Sequence, residues 1–236
     1  WTASLLPDDM TGILRRAMKF AYGPPSGPVT LTWGGGGGAR EVEAPIYPID
    51  LARMRYRPRA QADAIQQAAR WLAEAENPVF FVGAEVTEDG ASAELVALAE
   101  KLGVPVTESE HNLSSNFPND HPLFLGELRG ARFPRTQDLL VSFGESFTLG
   151  NPLQNANTPI VHFSHDPQAL GQAAAPNLPI LSDMRSAIRD VSDALDGLLT
   201  RDRINRIRAA RMANVTAFSA KLKESRELAR SEERRV

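Results

Sequence analysis

The amino-acid sequence predicts an α/β protein: an open, mostly parallel, doubly wound sheet with helices on both faces. A helix–strand piece precedes it and a linker helix follows. Three observations carry this. Runs such as "PVFFVG" and "DLLVSFG" are apolar without alternation, as expected of strands buried on both faces of a parallel sheet. Between them lie segments with apolar residues at helical spacing. Strands alternating with helices imply right-handed crossovers and parallel neighbours.

Taken in order, "PDDMTGILRRAMKFAYG" predicts an amphipathic helix from Pro7 to Tyr22, with Asp8 and Asp9 near its start, Ile13, Leu14, Ala17, Met18 and Ala21 on one side and Gly23 as its stop. "GPPSGP" turns the chain into a short strand, "VTLTW". No later segment is an obvious partner for that strand, so Leu14, Met18, Val29 and Leu31 are expected to form an exposed patch. Five glycines, Gly34 to Gly38, come next. A phosphate cradle needs a helix immediately after it, whereas Pro45, Pro48 and Pro58 break any helix here and no lysine sits in the loop. The run reads as a flexible tether.

From residue 60 the rhythm is regular. "AQADAIQQAARWLAEAEN" predicts a helix with Ile65, Ala68, Ala69 and Leu72 on one face, ended by Asn77-Pro78. The strand "PVFFVG" follows, then the helix "DGASAELVALAEKLG" with Leu95, Leu98, Ala99 and Leu102 inward and Gly103 as its stop. "VPVTES", "DLLVSFG", "PIVHFSHD" and "NLPILSD" supply four more strands, and "MRSAIRDVSDALDGLL" a helix. Such a sheet is Rossmann-like. Residues 201–236 hold 11 Lys and Arg against 5 Asp and Glu, with Ile207, Val215, Phe218 and Leu222 along one side, and read as a basic amphipathic helix.

Composition removes several function classes. The 236 residues contain no cysteine, so disulfides, thiolate metal sites and a cysteine nucleophile are excluded. A formal net charge of −3 gives no global attraction for nucleic acid or an anionic membrane. No apolar run approaches a membrane span and no basic-then-apolar leader precedes the fold, which fits a cytoplasmic protein. The chain begins at Trp1 rather than methionine, and the expectation is a piece of something longer.

In an open α/β sheet the ligand crevice lies beyond the carboxyl ends of the strands. This makes Gly83, Gly144, Glu145 and Asp166 the candidates for cofactor contact: the glycines allow close backbone approach and Asp166 can accept a hydroxyl. The first turn reads "GAEVTEDG", which lacks the dinucleotide fingerprint and aims Glu85, Glu88 and Asp89 where a pyrophosphate would lie. His162 and His165, three apart at a strand exit, fall on opposite faces; His111 and His121 lack ligand spacing. Ser109-Glu110-His111 are adjacent and cannot form a catalytic relay. No catalytic residue and no metal ligand is assigned.

"SGPVTLTW" behind an amphipathic helix, then "NPVFFVG", "ELVALAEKLGVPV", "FPNDHPLFLG", "DLLVSFG" and "VHFSHDP", resembles the thiamine diphosphate enzymes related to acetolactate synthase and benzoylformate decarboxylase. The resemblance spans residue 1 to about residue 200 and is most specific from "FPNDHPLFLG" to "HDP". It implies that 1–33 end a pyrimidine-binding domain, 34–59 link, 60–200 form the central domain and 201–236 lead as a basic helical linker towards a diphosphate-binding domain. The parent would then be a decarboxylase or carboligase whose cofactor ylid attacks a 2-oxo acid, with loss of carbon dioxide. The resemblance places the cofactor-activating glutamate before Trp1 and the G-D-G…N magnesium motif after Val236. No G-D-G occurs here, so thiamine diphosphate and magnesium belong to the parent and not to this piece. Acetolactate synthases also bind FAD through an arginine after the third-strand glycine; "GESFTLGNP" has none, so the resemblance does not extend to FAD. Relatives assemble as homodimers or homotetramers. Two other readings are a free-standing module binding FAD, NAD or a CoA nucleotide, and an interaction domain gripping a partner with its basic tail.

Overall fold

In a computed structural model, the structure describes residues 1–33, 41, 43, 45, 50, 56–109, 114–128, 137–145, 158–172 and 175–233. The glycine run 34–38, most of the linker 34–59, His111 and the "SFTLGNP" segment lie outside the described residues. The chain forms two compact units, Trp1–Pro58 and Arg59–Val236.

In the first unit, β1 (Thr2–Leu5) pairs in parallel with β2 (Thr30–Trp33), Thr2 opposite Thr30 and Leu5 opposite Trp33. A turn of 3-10 helix, Pro7–Asp9, opens α1 (Met10–Tyr22), which ends at Gly23 as the sequence predicts. Strand β1 is an addition to the predicted elements. It gives β2 the neighbour that no later segment offers. Its four residues alternate half-buried Ala3 and Leu5 with exposed Thr2 and Ser4. On α1, Ile13 and Ala17 are buried, while Leu14 is 40% and Met18 37% exposed. Val29 and Leu31 are half-buried, so the expected patch consists of helix residues, joined by Phe20, which stacks on Trp1 at 5.1 Å between ring centroids.

In the second unit the elements run α2 (Ala62–Glu74), β3 (Pro78–Val82), α3 (Glu85–Glu88), α4 (Ser92–Leu102), β4 (Val106–Ser109), β5 (Phe124–Leu128), β6 (Leu139–Phe143), β7 (Ile160–Ser164), β8 (Leu178–Leu181), α5 (Met184–Leu198) and α6 (Arg201–Glu233). The six strands are all parallel, in the order β5-β4-β3-β6-β7-β8. Every residue of β3, β6 and β7 is buried, which is why these strands read as unbroken apolar runs. Edge strand β5 is the second addition. It sits inside "HPLFLGEL", and its register shifts against β4 near Gly126, whose φ of +89° only glycine adopts readily.

The helix faces match the predicted ones. Ile65, Ala68, Ala69 and Leu72 of α2 and Leu95, Leu98, Ala99 and Leu102 of α4 all lie in the core, and α4 stops at Gly103 with φ +65°. Helices α2, α4, α5 and α6 form one connected layer, α2 against α5 and α4 against both α5 and α6. Segments 129–136 and 146–157, which connect strands elsewhere in the sheet, are outside the description.

The first half of α6 is part of this core. Ile204, Arg211 and Val215 are buried, and Met212 packs on the cluster. Val215, one of the apolar residues the sequence places along one side of this helix, is 5% exposed. Gly103 lies against Arg208 and Met212, where a Cβ would meet the Arg208 carbonyl oxygen at 2.9 Å. The guanidinium of Arg211 reaches the ends of two helices. Its Nη2 donates to the carbonyls of Leu72 and Ala75, both at 2.6 Å, and its Nη1 to that of Leu102 at 3.4 Å. Those are among the carbonyls a helix leaves unpaired, at the negative end of its dipole. Burial pushes the Arg211 pKa down to about 10 against the opposing charge of Asp138.

Candidate functional site

Strands β3 and β6 are neighbours, with Pro78 opposite Leu139 and Val82 opposite Phe143, yet the chain leaves them in opposite directions, through β4 to β5 and through β7 to β8. This is the topological switch point, the usual ligand crevice of an open α/β sheet. Gly83 and Gly144 are the first residues beyond the two strands. The structure brings them together: Gly83 N donates to Phe143 O at 3.0 Å, and a Cβ on Gly83 would strike the Gly144 carbonyl oxygen and lie 2.5 Å from the Glu145 Cα. Gly144 has φ +67°, and a Cβ there would lie 2.5 Å from that of Glu85. The two glycines are required by each other and by Glu85.

Glu85 opens the short turn α3 and is buried at the carboxyl end of β7. One carboxylate oxygen accepts the Ser164 hydroxyl at 2.6 Å and the other the His165 backbone N–H at 2.7 Å. Burial raises its pKa, the neighbouring His165 and those two bonds working the other way. Asp89 closes the turn. Its Oδ2 accepts the Met184 backbone N–H at 2.8 Å and lies 3.1 Å from His165 Nδ1. On the opposite side, Thr87 donates to Asn116 Oδ1 at 2.8 Å, and buried Glu108 accepts the N–H groups of Asn116 and Phe117 at 3.0 and 2.9 Å. The α3 turn is therefore fastened to β7 and α5 on one flank and to the segment after β4 on the other.

Of the remaining candidates, Glu145 is buried and its backbone carbonyl lies 2.8 Å from His162 Nε2. Asp166 is half-buried, and its Oδ1 accepts Gln168 N at 2.8 Å in a local turn. His162 and His165 separate as the strand period requires. His162 is buried inside the sheet layer, and burial lowers its pKa to about 4. His165 faces the α3 acids; burial opposes its charge, but the bond to Asp89 and the charges of Glu85, Asp89 and Glu88 outweigh it and raise its pKa. His121 is placed between Glu100, 3.3 Å from Nε2, and the Leu123 N–H, 3.2 Å from Nδ1. Sequence reasoning placed the α3 carboxylates at the crevice but did not supply their donors, Ser164 and the His165 and Met184 amides, because two of the three are backbone groups.

A diphosphate needs converging donors and a cation, whereas the first turn offers carboxylates already holding protein donors. Among the described residues no group of three or more His, Asp or Glu side chains is arranged to hold a metal ion. The carboxylates of this turn are a poor match for a diphosphate's negative charge.

The family model of the thiamine pyrophosphate enzyme central domain matches residues 65–191. The chain belongs to this family. It is 30% identical over 213 residues to a probable acetolactate synthase large subunit of Methanocaldococcus jannaschii, covering 84% of this chain and 36% of that protein. It is 32% identical over 166 residues to sulfoacetaldehyde acetyltransferase of Castellaniella defragrans, covering 64% of this chain and 27% of the relative. The chain thus spans about a third of the length of the curated relatives it matches. Benzoylformate decarboxylase of Polynucleobacter necessarius shares its fold, with a TM-score of 0.67 at 24% identity over 83% of this chain and 38% of that one. So does the 4-hydroxybenzoylformate decarboxylase of Rhodococcus jostii RHA1, with a TM-score of 0.67 at 22% identity, over 82% and 38%. A thiamine pyrophosphate central domain accounts for the parallel sheet and for the resemblance carried by "FPNDHPLFLG" through "HDP". No helix among the described residues is long and apolar enough to cross a membrane.

Proposed function

We propose that this central domain is a scaffold within a thiamine diphosphate-dependent 2-oxo-acid decarboxylase or carboligase, and that it holds no cofactor itself. In this reading residues 1–33 belong to the pyrimidine-binding domain, 34–59 link, 60–200 are the central domain and 201–236 lead towards the diphosphate-binding domain. Thiamine diphosphate and magnesium are held by the parts of the parent outside this chain. The parent works in the cytoplasm as a homodimer or homotetramer. The observation that carries the scaffold role is the filled first turn: Glu85 and Asp89 occupy the switch point and are satisfied by Ser164, His165 and Met184 of the same chain.

The chemistry of these residues is positional. Gly83 and Gly144 let two strand exits meet at backbone contact, and the Glu85 and Asp89 carboxylates tie the exits of β3 and β7 to the start of α5. That fixes the spacing between the sheet and whatever domain docks on its carboxyl edge. The test is calorimetry of the chain with FAD, NAD, ADP, CoA and thiamine diphosphate plus magnesium. No heat of binding is expected from any of them. Micromolar binding of FAD, NAD, ADP or CoA overturns the scaffold reading in favour of a nucleotide module, whose contacts would then be sought at Gly83, Gly144, Glu145 and Asp166. The parent assignment has a separate test in the parent's reading frame, where a glutamate before Trp1 and a G-D-G…N motif after Val236 are required.

A further inference from the structure

The carboxyl edge of the sheet gathers buried ionisable groups around one imidazole. His165 Nδ1 is 3.1 Å from Asp89 Oδ2 and 3.8 Å from Glu85 Oε2, and its Nε2 is 3.6 Å from Glu88 Oε2. All three carboxylates come from one short stretch, residues 85–89, while the imidazole comes from the end of β7, some 80 residues later in the chain. His165, Glu85 and Asp89 are buried; the Glu88 side chain is half exposed. The other charged groups of the neighbouring elements have their own partners. From α5, Arg185 donates to the Gly90 carbonyl and pairs with Glu94, Arg189 pairs with Glu94, and Asp183 accepts Ser186 N. From the β7 exit, Asp166 accepts Gln168 N.

We propose that residues 85–90 form a proton-dependent latch: protonated His165 clamps the α3 turn onto the ends of β7 and α5, and loss of that proton loosens the turn and uncovers the crevice at Gly83 and Gly144. An imidazolium donates from Nδ1 to Asp89 and pairs as an ion with Glu88 and Glu85, neutralising part of the carboxylate charge buried beside it. A neutral ring with its proton on Nδ1 keeps the bond to Asp89 but loses the ion pairing with Glu88 and Glu85, and it leaves Glu85 and Asp89 as like charges in a low-dielectric site. The turn keeps other ties whatever the charge on His165: Glu85 accepts the Ser164 hydroxyl and the His165 N–H, Asp89 accepts the Met184 N–H and Thr87 donates to Asn116 Oδ1, so the imidazolium acts on a turn already held at both flanks. The turn is four residues long, and Val86 and Ala91 are the apolar groups it and the residues just after it place in the core.

The direction of the pH effect follows from the cluster. His165 and Glu85 both have pKa values raised above their ordinary ones, so the folded chain holds these protons more tightly than the unfolded chain does. The latch is secure below about pH 6.5, the ordinary histidine pKa, and opens as pH climbs through the raised value of His165.

The experiment uses the whole chain and has two readouts: histidine Cε1–H NMR titration, and amide exchange by mass spectrometry at about pH 6, 7, 8 and 9 with rates corrected for intrinsic chemistry. The His165 imidazole is expected to titrate with a midpoint above 6.5. Protection of the peptide covering residues 84–91 is expected to fall as pH rises through the His165 midpoint, while β6 stays protected. His165→Asn should flatten the pH dependence of that peptide alone. A His165 midpoint at or below 6.5, protection of residues 84–91 that does not change with pH, or a His165→Asn profile like the original would each overturn the latch. If His165→Asn does not fold, the titration and exchange profile of the unsubstituted chain decide the matter.

Discussion

Replacing Arg211 by methionine separates the packing of its stem from the work of its guanidinium. The thioether chain fills most of the aliphatic volume, but the donors to Leu72, Ala75 and Leu102 are lost. Each hydrogen bond from a charged donor contributes about 1.5–3 kcal/mol, and an orphaned buried carbonyl costs about 1–3 kcal/mol. Two of the three bonds are short and the third is long, so two full losses and one partial one are expected. Against this stands the relief of removing a buried charge, which is several kcal/mol in a dry site. The carbonyls lie at the negative ends of α2 and α4, so the charge is compensated by aligned dipoles and the relief is smaller. The net expectation is a loss of about 2–4 kcal/mol. Arg211→Lys should lose roughly half as much, because a single ammonium cannot serve two helix ends at once. Urea unfolding followed by far-UV circular dichroism measures both, and an unchanged slope would show that the denatured state is not involved. Arg211→Met within about 0.5 kcal/mol of the original would show that water or backbone relaxation satisfies those carbonyls and that the guanidinium is not a double cap.

Gly144→Ala should cost about 2–4 kcal/mol in the same assay, since it adds a strained φ of +67° to an overlap with Glu85. Leu98→Ala, in the centre of the α4 face, should cost about 2–5 kcal/mol by leaving a cavity. His162, neutral in the fold with a pKa of about 4, binds its proton more readily once unfolded. Its contribution is complete above pH 6.5 and lost as pH falls towards 4, by about 3 kcal/mol across the window; guanidinium melts at stepped pH should show that slope, and His162→Gln should remove it. Asp138 accepts the N–H groups of Glu76 and Asn77 at 2.6 and 2.9 Å, so Asp138→Ala should cost about 1–2 kcal/mol and lower the protection of those two amides.

The buried strands and the helix faces were legible because burial on both faces and helical period leave direct marks in residue order. Strands β1 and β5 were not. Each lies at a sheet edge, where one side needs no apolar cover. "TASL" is too short and too polar to announce itself, and "FLGEL" follows prolines and carries a glycine where its register shifts. At the crevice, Gly83, Gly144, Glu85 and Asp89 stood out as residue types in suggestive places. What they touch was not readable, since the partners are amides of His165 and Met184 brought close by chain pairing rather than by pattern. Arg211 left a signal that charge counting obscures. It falls on the same helical stripe as Ile204 and Val215, seven residues after one and four before the other, and a basic residue in line with buried apolar ones is a candidate for an internal cap.

Helix α6 is 33 residues long, about 50 Å at 1.5 Å per residue, and Ile204, Arg211 and Val215 of its first half are buried. Fixed at Arg211, it acts as a crankshaft. Anything joined to its far end takes its heading from the angular phase set at the near end. One residue inserted after Thr216 would swing that heading by about 100°, and four residues by only about 40°, while lengthening the shaft by about 6 Å. Insertions close to a whole number of turns keep that heading, and others turn it, so the phase of the helix carries direction along with length.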